Sequence, residues 1–249
     1  MSKIFDALRK AEQEPHPLEL AVEPRLVEKV ERPRRDQRIF EREFGALSSA
    51  VQSCFQQART GKIVLVAGCV EREGATYVSG NLGRMLAVGA GAPVLCLDAD
   101  FHDLGLSRAF QMPAGPGLAD VYDNGRPRDL TGMLCPGDVD NLYLLSAGER
   151  RISPVAFFDS PEFEALLGSL RRTFRFVVVD CPPLLKYPEG MRLAARVDGV
   201  VLVVRYKHLK REVIRKALQM IEALNAPVLG AVLNRRKFAI PDLLYKLIS

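Results

Sequence analysis

The chain alternates between short apolar runs and longer segments in which apolar residues recur at helical spacing. The short runs lack the polar alternation of a half-exposed strand, and this pattern predicts strands that are buried on both faces. They are Ile63–Ala67, Val94–Leu97, Leu142–Ser146, Phe176–Val179, Val200–Val204 and Val228–Leu233. Helical segments are predicted near residues 77–89, 161–172, 209–224 and 241–247. The gaps between strands are long enough for crossover connections, so we expect an α/β fold with a doubly wound, mostly parallel sheet in three layers, α/β/α.

Residues 1–38 differ from the rest of the chain. Apolar residues at positions 4, 5, 8 and 11 recur at helical spacing, which predicts a short amphipathic helix over residues 2–14. The charged stretch that follows contains four prolines and too little apolar surface to form a core, which predicts a disordered linker. We therefore expect residues 1–38 to form a helix with a Pro-rich linker and residues 39–249 to form a globular domain. The helix docks either on its own domain or on a partner, and the sequence leaves both open.

Composition narrows the class of protein. With 48% hydrophobic and 26% charged residues among 249, the chain can bury a core and is neither fibrous nor wholly disordered. No apolar run approaches the length of a membrane-spanning helix, and the first residues lack a signal-peptide core, so we expect a cytoplasmic protein. Five cysteines without a CxxC pair and three scattered histidines argue against a zinc site, and Cys96 and Cys181 are expected to pack in the core.

The last part of the chain is basic. From Arg192 onward twelve lysines and arginines stand against four acidic residues. This excess predicts either a solvated face or a surface for an anionic membrane, a nucleotide or an acidic partner. No nucleic-acid recognition motif accompanies the charge, so we do not expect a nucleic-acid partner.

The segment after the first predicted strand has the frame of a phosphate-binding loop. Residues 68–76, GCVEREGAT, join a buried strand to a helix, and such loops present backbone N–H groups and a positive helix end to phosphates. Thr76 occupies the place of the hydroxyl that binds Mg²⁺, but the lysine place holds Ala75. Cys69 and Arg72 stand where such loops often have glycine. The candidate cofactor-binding residues of this loop are Glu73, Gly74, Ala75 and Thr76.

Three aspartates follow the ends of two other strands. Asp98 and Asp100 follow the strand at residues 94–97, and Asp180 closes the strand at residues 176–179 before a proline pair. The carboxyl ends of parallel strands meet at one edge of a doubly wound sheet. Carboxylates there hold Mg²⁺ or its waters and position an attacking group. We therefore take Asp98, Asp100 and Asp180 as candidate catalytic residues, and Thr76, Asp98 and Asp180 as candidate metal ligands.

Together these segments resemble the bacterial tyrosine kinases of capsule and exopolysaccharide assembly, which are P-loop proteins related to MinD and ParA. The resemblance rests on three motifs in order, 73–76, 98–100 and 180–183, and on family-like segments at 117–121, 141–148, 160–163, 197–200 and 229–235. It implies ATP and Mg²⁺ as ligands, tyrosine autokinase activity, and a place for Asn234 and Arg235 near the adenine base.

The opening residues 2–8 resemble those of stand-alone members that pair with a separate membrane protein. The implied partner is the cytoplasmic part of a membrane polysaccharide co-polymerase, the chain-length protein. The implied location is therefore peripheral, at the inner face of the cell membrane.

Three features of such kinases are missing. The loop lysine is replaced by Ala75, the ring-forming arginines are absent from Glu43–Ser48, and Tyr245 alone stands in place of a tyrosine-rich tail. The sequence therefore favours a regulator of chain length or export whose kinase activity is weak or lost, a pseudokinase. Two alternatives stay open: an active ATP-dependent protein-tyrosine autokinase, and a positioning ATPase of the ParA/MinD type, whose early loop lysine is Val70 here. ATP binding and homo-oligomerisation are left open as well.

Overall fold

The computed structural model describes residues 34–123, 126–128 and 130–235. The helix predicted over residues 2–14, most of the predicted linker and the helix predicted near residues 241–247 lie outside these residues. The first described element is a long helix that includes Ile39, the expected first residue of the globular domain.

The described elements alternate between strands and helices. Their order is α1 (Arg34–Cys54), β1 (Lys62–Gly68), α2 (Ala75–Ala90), β2 (Val94–Asp98), α3 (Gly105–Ala109), a 3₁₀ turn (Leu118–Asp120), β3 (Tyr122–Asp123), β4 (Arg126–Pro127), β5 (Cys135–Pro136), β6 (Leu142–Leu145), α4 (Pro154–Phe158), α5 (Pro161–Thr173), β7 (Phe176–Asp180), α6 (Pro188–Ala194), β8 (Gly199–Arg205), α7 (Arg211–Ala223) and β9 (Val228–Asn234).

Among these elements, seven strands form one sheet in the order β5-β6-β2-β7-β1-β8-β9. The six longer strands run parallel to their neighbours, and the short β5 pairs antiparallel with β6. These six are the strands that the apolar runs predicted, so the doubly wound, mostly parallel sheet is confirmed. β7 lies between β1 and β2, which brings the carboxyl ends of these three strands together. Open α/β sheets bind their ligands at such an edge.

Alternate residues of β1, β2, β6, β7 and β8 enter two separate cores, which explains why these runs are continuously apolar. The edge strand β9 was also predicted to be buried on both faces, but it is only partly buried, because among the described strands it has a neighbour on one side alone. Val64 and Val66 of β1 belong to a cluster that contains the inner face of α2, including Leu82. Ile63 and Leu65 belong to the opposite cluster, which also contains residues of α5 and α7. All four side chains are buried, because helices cover both faces of the sheet.

Gly83 allows α2 to pack closely on the sheet. A Cβ atom added at this position would lie 2.1 Å from Cys96 Sγ, far inside van der Waals contact. Cys96 is buried on β2, and burial raises the pKa of its thiol to about 12. Cys96 and Cys181 are both buried core residues, as predicted. The close packing therefore brings the middle of α2 against β2.

Candidate functional site

The phosphate loop, residues 68–76, lies at the carboxyl end of β1 in the middle of the sheet. It ends at Gly74, whose φ of +92° is in the left-handed region that glycine adopts without strain. Gly74 gives α2 no side-chain cap, so the N–H groups of the first turn remain for another acceptor. The helix dipole adds partial positive charge at the same place, and this end of α2 therefore has the electrostatics of an anion site.

Glu73 and Asn234 shape this loop from inside the protein. Glu73 is buried, and its Oε2 accepts a hydrogen bond of 3.0 Å from the Val70 N–H. Asn234, the last residue of β9, donates from Nδ2 to the Glu73 carbonyl at 2.8 Å, and its Oδ1 accepts from the Arg235 N–H at 2.8 Å. The two side chains were predicted to contact nucleotide. In the structure their polar atoms hold the loop and the β9 end in place, and their contact with nucleotide stays a prediction.

Asp180 ties β7 to the first turn of α2. Its carboxylate is buried and accepts a hydrogen bond of 2.8 Å from Ser79 Oγ. Burial, together with the neighbouring Asp98 carboxylate, raises the pKa of Asp180 to about 8, and the nearby Thr76 hydroxyl acts to lower it. The structure therefore places two predicted metal ligands, Thr76 and Asp180, near each other. Ser79 was not predicted, although its position three residues after Thr76 places both on one face of the helix.

Asp98 is the register neighbour of Asp180 on the adjacent strand β2. It is buried, and its Oδ2 accepts from the Ser107 N–H at 2.8 Å and from the Ser107 hydroxyl at 2.7 Å. Its Oδ1 accepts from the Asp100 N–H at 3.2 Å. Burial raises the pKa of Asp98, although the hydrogen bonds from Ser107 oppose this effect. Both oxygens of Asp98 thus support the turn after β2 and the start of α3.

Asp100 is the most accessible of the three aspartates. Its Oδ1 accepts from the N–H groups of His102 and Asp103, at 3.0 and 3.1 Å, which closes a tight turn beyond β2. The side chain is partly exposed, in contrast to the buried Asp98 and Asp180. The three predicted carboxylates therefore converge at the same edge of the sheet, but only Asp100 is open to solvent.

The loop that contains the proline pair after Asp180 borders the phosphate loop. This β7–α6 loop, residues 181–187, is joined to it by two backbone hydrogen bonds of 3.0 Å, from Leu184 N–H to the Gly68 carbonyl and from Leu185 N–H to the Cys69 carbonyl. Lys186 Nζ donates a hydrogen bond to Glu71 Oε1 of the phosphate loop. In the sequence, Lys186 is only a single cation shortly after the proline pair. Its contact with Glu71, 115 positions away, becomes visible only in the folded structure.

The donor set at this edge fits a magnesium-bound nucleotide. Mg²⁺ at phosphate sites takes one or two protein ligands and fills its other positions with water and phosphate oxygens. Thr76 and Asp180 are such a pair, beside the uncapped start of α2. Within the part of the chain that the structure describes, no three His, Cys, Asp or Glu side chains form an all-protein metal cluster.

Comparison with known proteins identifies relatives of the chain, although no protein-family model matches it. Over 192 residues it is 27% identical to "Tyrosine-protein kinase CpsD" of Streptococcus agalactiae, covering 77% of this chain and 82% of the relative. The kinase domain of VpsO has the same fold, with a TM-score of 0.70 and 24% identity over 82% of this chain and 100% of that domain. MinD from Pyrococcus horikoshii, solved with Mg-ADP, matches with a TM-score of 0.57 and 21% identity over 76% of this chain and 77% of MinD. The chain is thus a homologue of the bacterial tyrosine-protein kinases and has the P-loop fold that they share with MinD.

Proposed function

We propose that the chain is a tyrosine-kinase-like regulator of exopolysaccharide or capsule biosynthesis, which acts on chain length or export and has weak or no kinase activity. One observation carries the proposal. Ala75 offers a methyl group where a P-loop lysine would meet the phosphates, while Asp180 is still hydrogen-bonded to Ser79 and lies near Thr76. The frame of the site is therefore kept, and the lysine that P-loops place at this position is lost.

The missing cation bears directly on phosphoryl transfer. A charged hydrogen bond of this type contributes about 1.5–3 kcal/mol. Removing a group that stabilises charge in the transition state costs on the order of 10²–10³ in rate. The aspartates at this edge do not replace it, because a carboxyl group is either neutral or negative and supplies no positive charge to the phosphates. The missing lysine therefore supports weak chemistry at this edge.

The residues that remain are suited to hold a nucleotide. The N–H groups at the start of α2 would bind phosphate oxygens, Thr76 and Asp180 would hold Mg²⁺, and Asp100 would face the solvent side of the site. Bound Mg²⁺ would bridge phosphate oxygens and offset their charge. Arg235, beside the Asn234 anchor, is the remaining candidate for a contact with the base.

The proposed partner is the cytoplasmic part of a membrane polysaccharide co-polymerase. No helix in the described part of the chain is both long and apolar enough to cross a bilayer. We therefore propose attachment at the inner membrane face through the partner. The start of α7 offers a basic surface for this contact, because Arg211, Arg215 and Lys216 are exposed there.

The test is to separate regulation from catalysis. The purified full-length chain is incubated with Mg-ATP, with and without the cytoplasmic part of the co-polymerase, and phosphotyrosine is measured. In cells that lack the protein, polymer length is measured after complementation with the wild type or with Asp100→Asn. We expect little or no phosphotyrosine and equal complementation by both versions.

The second candidate is an active tyrosine autokinase, and the retained Thr76 hydroxyl near the Asp180 carboxyl group favours it. Strong phosphotyrosine formation that Asp100→Asn abolishes, together with failed complementation by this variant, would establish the autokinase and refute the regulator.

A further inference from the structure

We infer that Lys186 supplies the positive charge that Ala75 does not provide, so that the phosphate loop binds the distal phosphates of a nucleoside di- or triphosphate. The inference rests on the proposed nucleotide site and extends it by naming a cation from another loop. The carrying observation is the contact of Lys186 Nζ with Glu71, a residue of the phosphate loop itself.

The backbone around Lys186 is fixed relative to the phosphate loop. Leu184 and Leu185, the two residues before it, donate their N–H groups to the carbonyls of Gly68 and Cys69, each at 3.0 Å. The β7–α6 loop therefore follows the phosphate loop along its first residues. The backbone next to Lys186 therefore has little freedom to move. The ammonium group of Lys186 stays at the rim of the phosphate loop.

Aromatic stacking holds the Lys186 side chain from the other direction. Its Nζ lies 4.8 Å from the centroid of the Tyr187 ring, which is within cation–π range. Tyr187 stacks on His102 at 3.9 Å between ring centroids, and His102 Nε2 is hydrogen-bonded to the buried Glu189. His102 lies two residues after Asp100. Lys186 is thus held between the phosphate loop and the turn that carries Asp100.

The charges at this edge require a cation before a polyphosphate can bind. The phosphate loop contains Glu71 and Glu73 against one Arg72, and three aspartates lie beside it. Lys186 neutralises Glu71 in the ligand-free protein, and this pair is half exposed, so its strength is modest. A phosphate carries more charge than a carboxylate and would take Lys186 from Glu71. Glu71 then acts as a competitor whose removal favours the ligand.

The closing experiment measures binding, not activity. The full-length chain is titrated calorimetrically with Mg-ADP and, separately, with AMP. We expect Lys186→Met to weaken Mg-ADP binding about tenfold, Lys186→Arg to restore most of it, and AMP binding to stay unchanged. Glu71→Gln is expected to tighten Mg-ADP binding by up to about fivefold, and this gain disappears when Lys186→Met is added.

Lys62→Met is the matched control. Lys62 also pairs with a carboxylate, Asp198, and lies 5.8 Å from the centroid of an aromatic ring, Phe55, but it stands at the opposite end of β1. Arg171 continues to pair with Asp198 in this variant. We expect its affinity for Mg-ADP to equal that of the wild type.

Three outcomes would overturn the inference. The first is a wild type that does not bind Mg-ADP, and the second is a Lys186→Met variant that binds Mg-ADP as well as the wild type does. The third is a loss of Mg-ADP affinity in Arg72→Ala but not in Lys186→Met. None of them touches the proposed regulatory function. That function is refuted separately, by phosphotyrosine formation in the same preparations with Mg-ATP.

Discussion

Asp98 and Asp180 occupy paired positions on β2 and β7, so that two buried carboxyl groups stand side by side at the carboxyl edge of the sheet. Ser107 donates two hydrogen bonds to Asp98, whereas Asp180 accepts one from Ser79 on α2 and lies near Thr76. The pair therefore connects α3 and the phosphate loop through the centre of the sheet.

Asp180→Asn is expected to stabilise the protein in EDTA without nucleotide. Burial and Asp98 raise the pKa of Asp180 from 3.8 to about 8. Between these values the folded protein binds a proton that the unfolded chain has lost, so the free energy of unfolding falls as pH rises through this window. Asparagine does not ionise in this pH range, so the variant does not lose stability as pH rises. Its side-chain oxygen can still accept the hydrogen bond from Ser79. Urea unfolding should show a gain on the order of 5 kcal/mol at pH 8 that closes towards pH 4. A gain of constant size across this range would contradict the raised pKa.

Asp198→Asn is expected to behave in the opposite sense. Burial raises the pKa of Asp198, but the Ile63 N–H, Lys62 and Arg171 outweigh it, and the net pKa is lowered. The stability that Asp198 contributes is therefore present at neutral pH and is lost as pH falls through the lowered pKa. The variant should lose about 1 kcal/mol at pH 7 by urea unfolding, with a smaller difference in acid. An equal loss at every pH would show that the charge of Asp198 is irrelevant.

Gly83→Ala is expected to destabilise the protein by about 1–3 kcal/mol, because the new Cβ would meet Cys96 Sγ at 2.1 Å. The double variant Gly83→Ala with Cys96→Ala should recover much of this loss, since it removes the sulfur. Thermal unfolding measures both. Gly45→Ala is the control, because the nearest atom to its Cβ, Met85 Cε, lies at 3.8 Å. A loss of similar size at Gly45 would mean that helix packing, and not Cys96, sets the cost.

Asn234→Ala is expected to loosen the phosphate loop. The variant loses the 2.8 Å hydrogen bond to the Glu73 carbonyl, at a cost of about 1 kcal/mol. Hydrogen exchange of peptides that cover residues 68–76 should accelerate several-fold, while peptides from α5 keep their protection. Leu233→Ala, at an exposed neighbouring position of β9, should leave the loop unchanged. Unchanged exchange in Asn234→Ala would show that the loop holds its shape without this anchor.

The elements of the fold that depend on local hydrophobic pattern could be predicted from the sequence. Continuous apolar runs such as Phe176–Val179 have few ways to bury both faces, so the parallel sheet follows from them. The meeting of Asp98 with Asp180 follows as well, because each closes a strand. By contrast, α4 and α6 have only five and seven residues, too few to show helical periodicity, although Pro154 and Pro188 mark their starts.

The direction of side chains at the site could not be read in the same way. Glu73 is a candidate cofactor-binding residue by its place in the loop, and the sequence does not show that its side chain is buried beside Gly74, which turns through a positive φ. Asn234 reaches the loop from 161 residues away, and Lys186 reaches Glu71 from 115. Such contacts depend on how the strands are ordered, and one sequence carries no record of them.

The Asn234 anchor has a consequence for anyone who shortens this protein. A fragment that stops after β8 would still contain GCVEREGAT, the Asp98–Asp100 pair and the Asp180 motif, and a motif search would accept it as complete. It would lack the Asn234 side-chain amide, which donates a hydrogen bond to the Glu73 carbonyl. Fragment boundaries should therefore be chosen beyond residue 234, since the last strand supports the first loop.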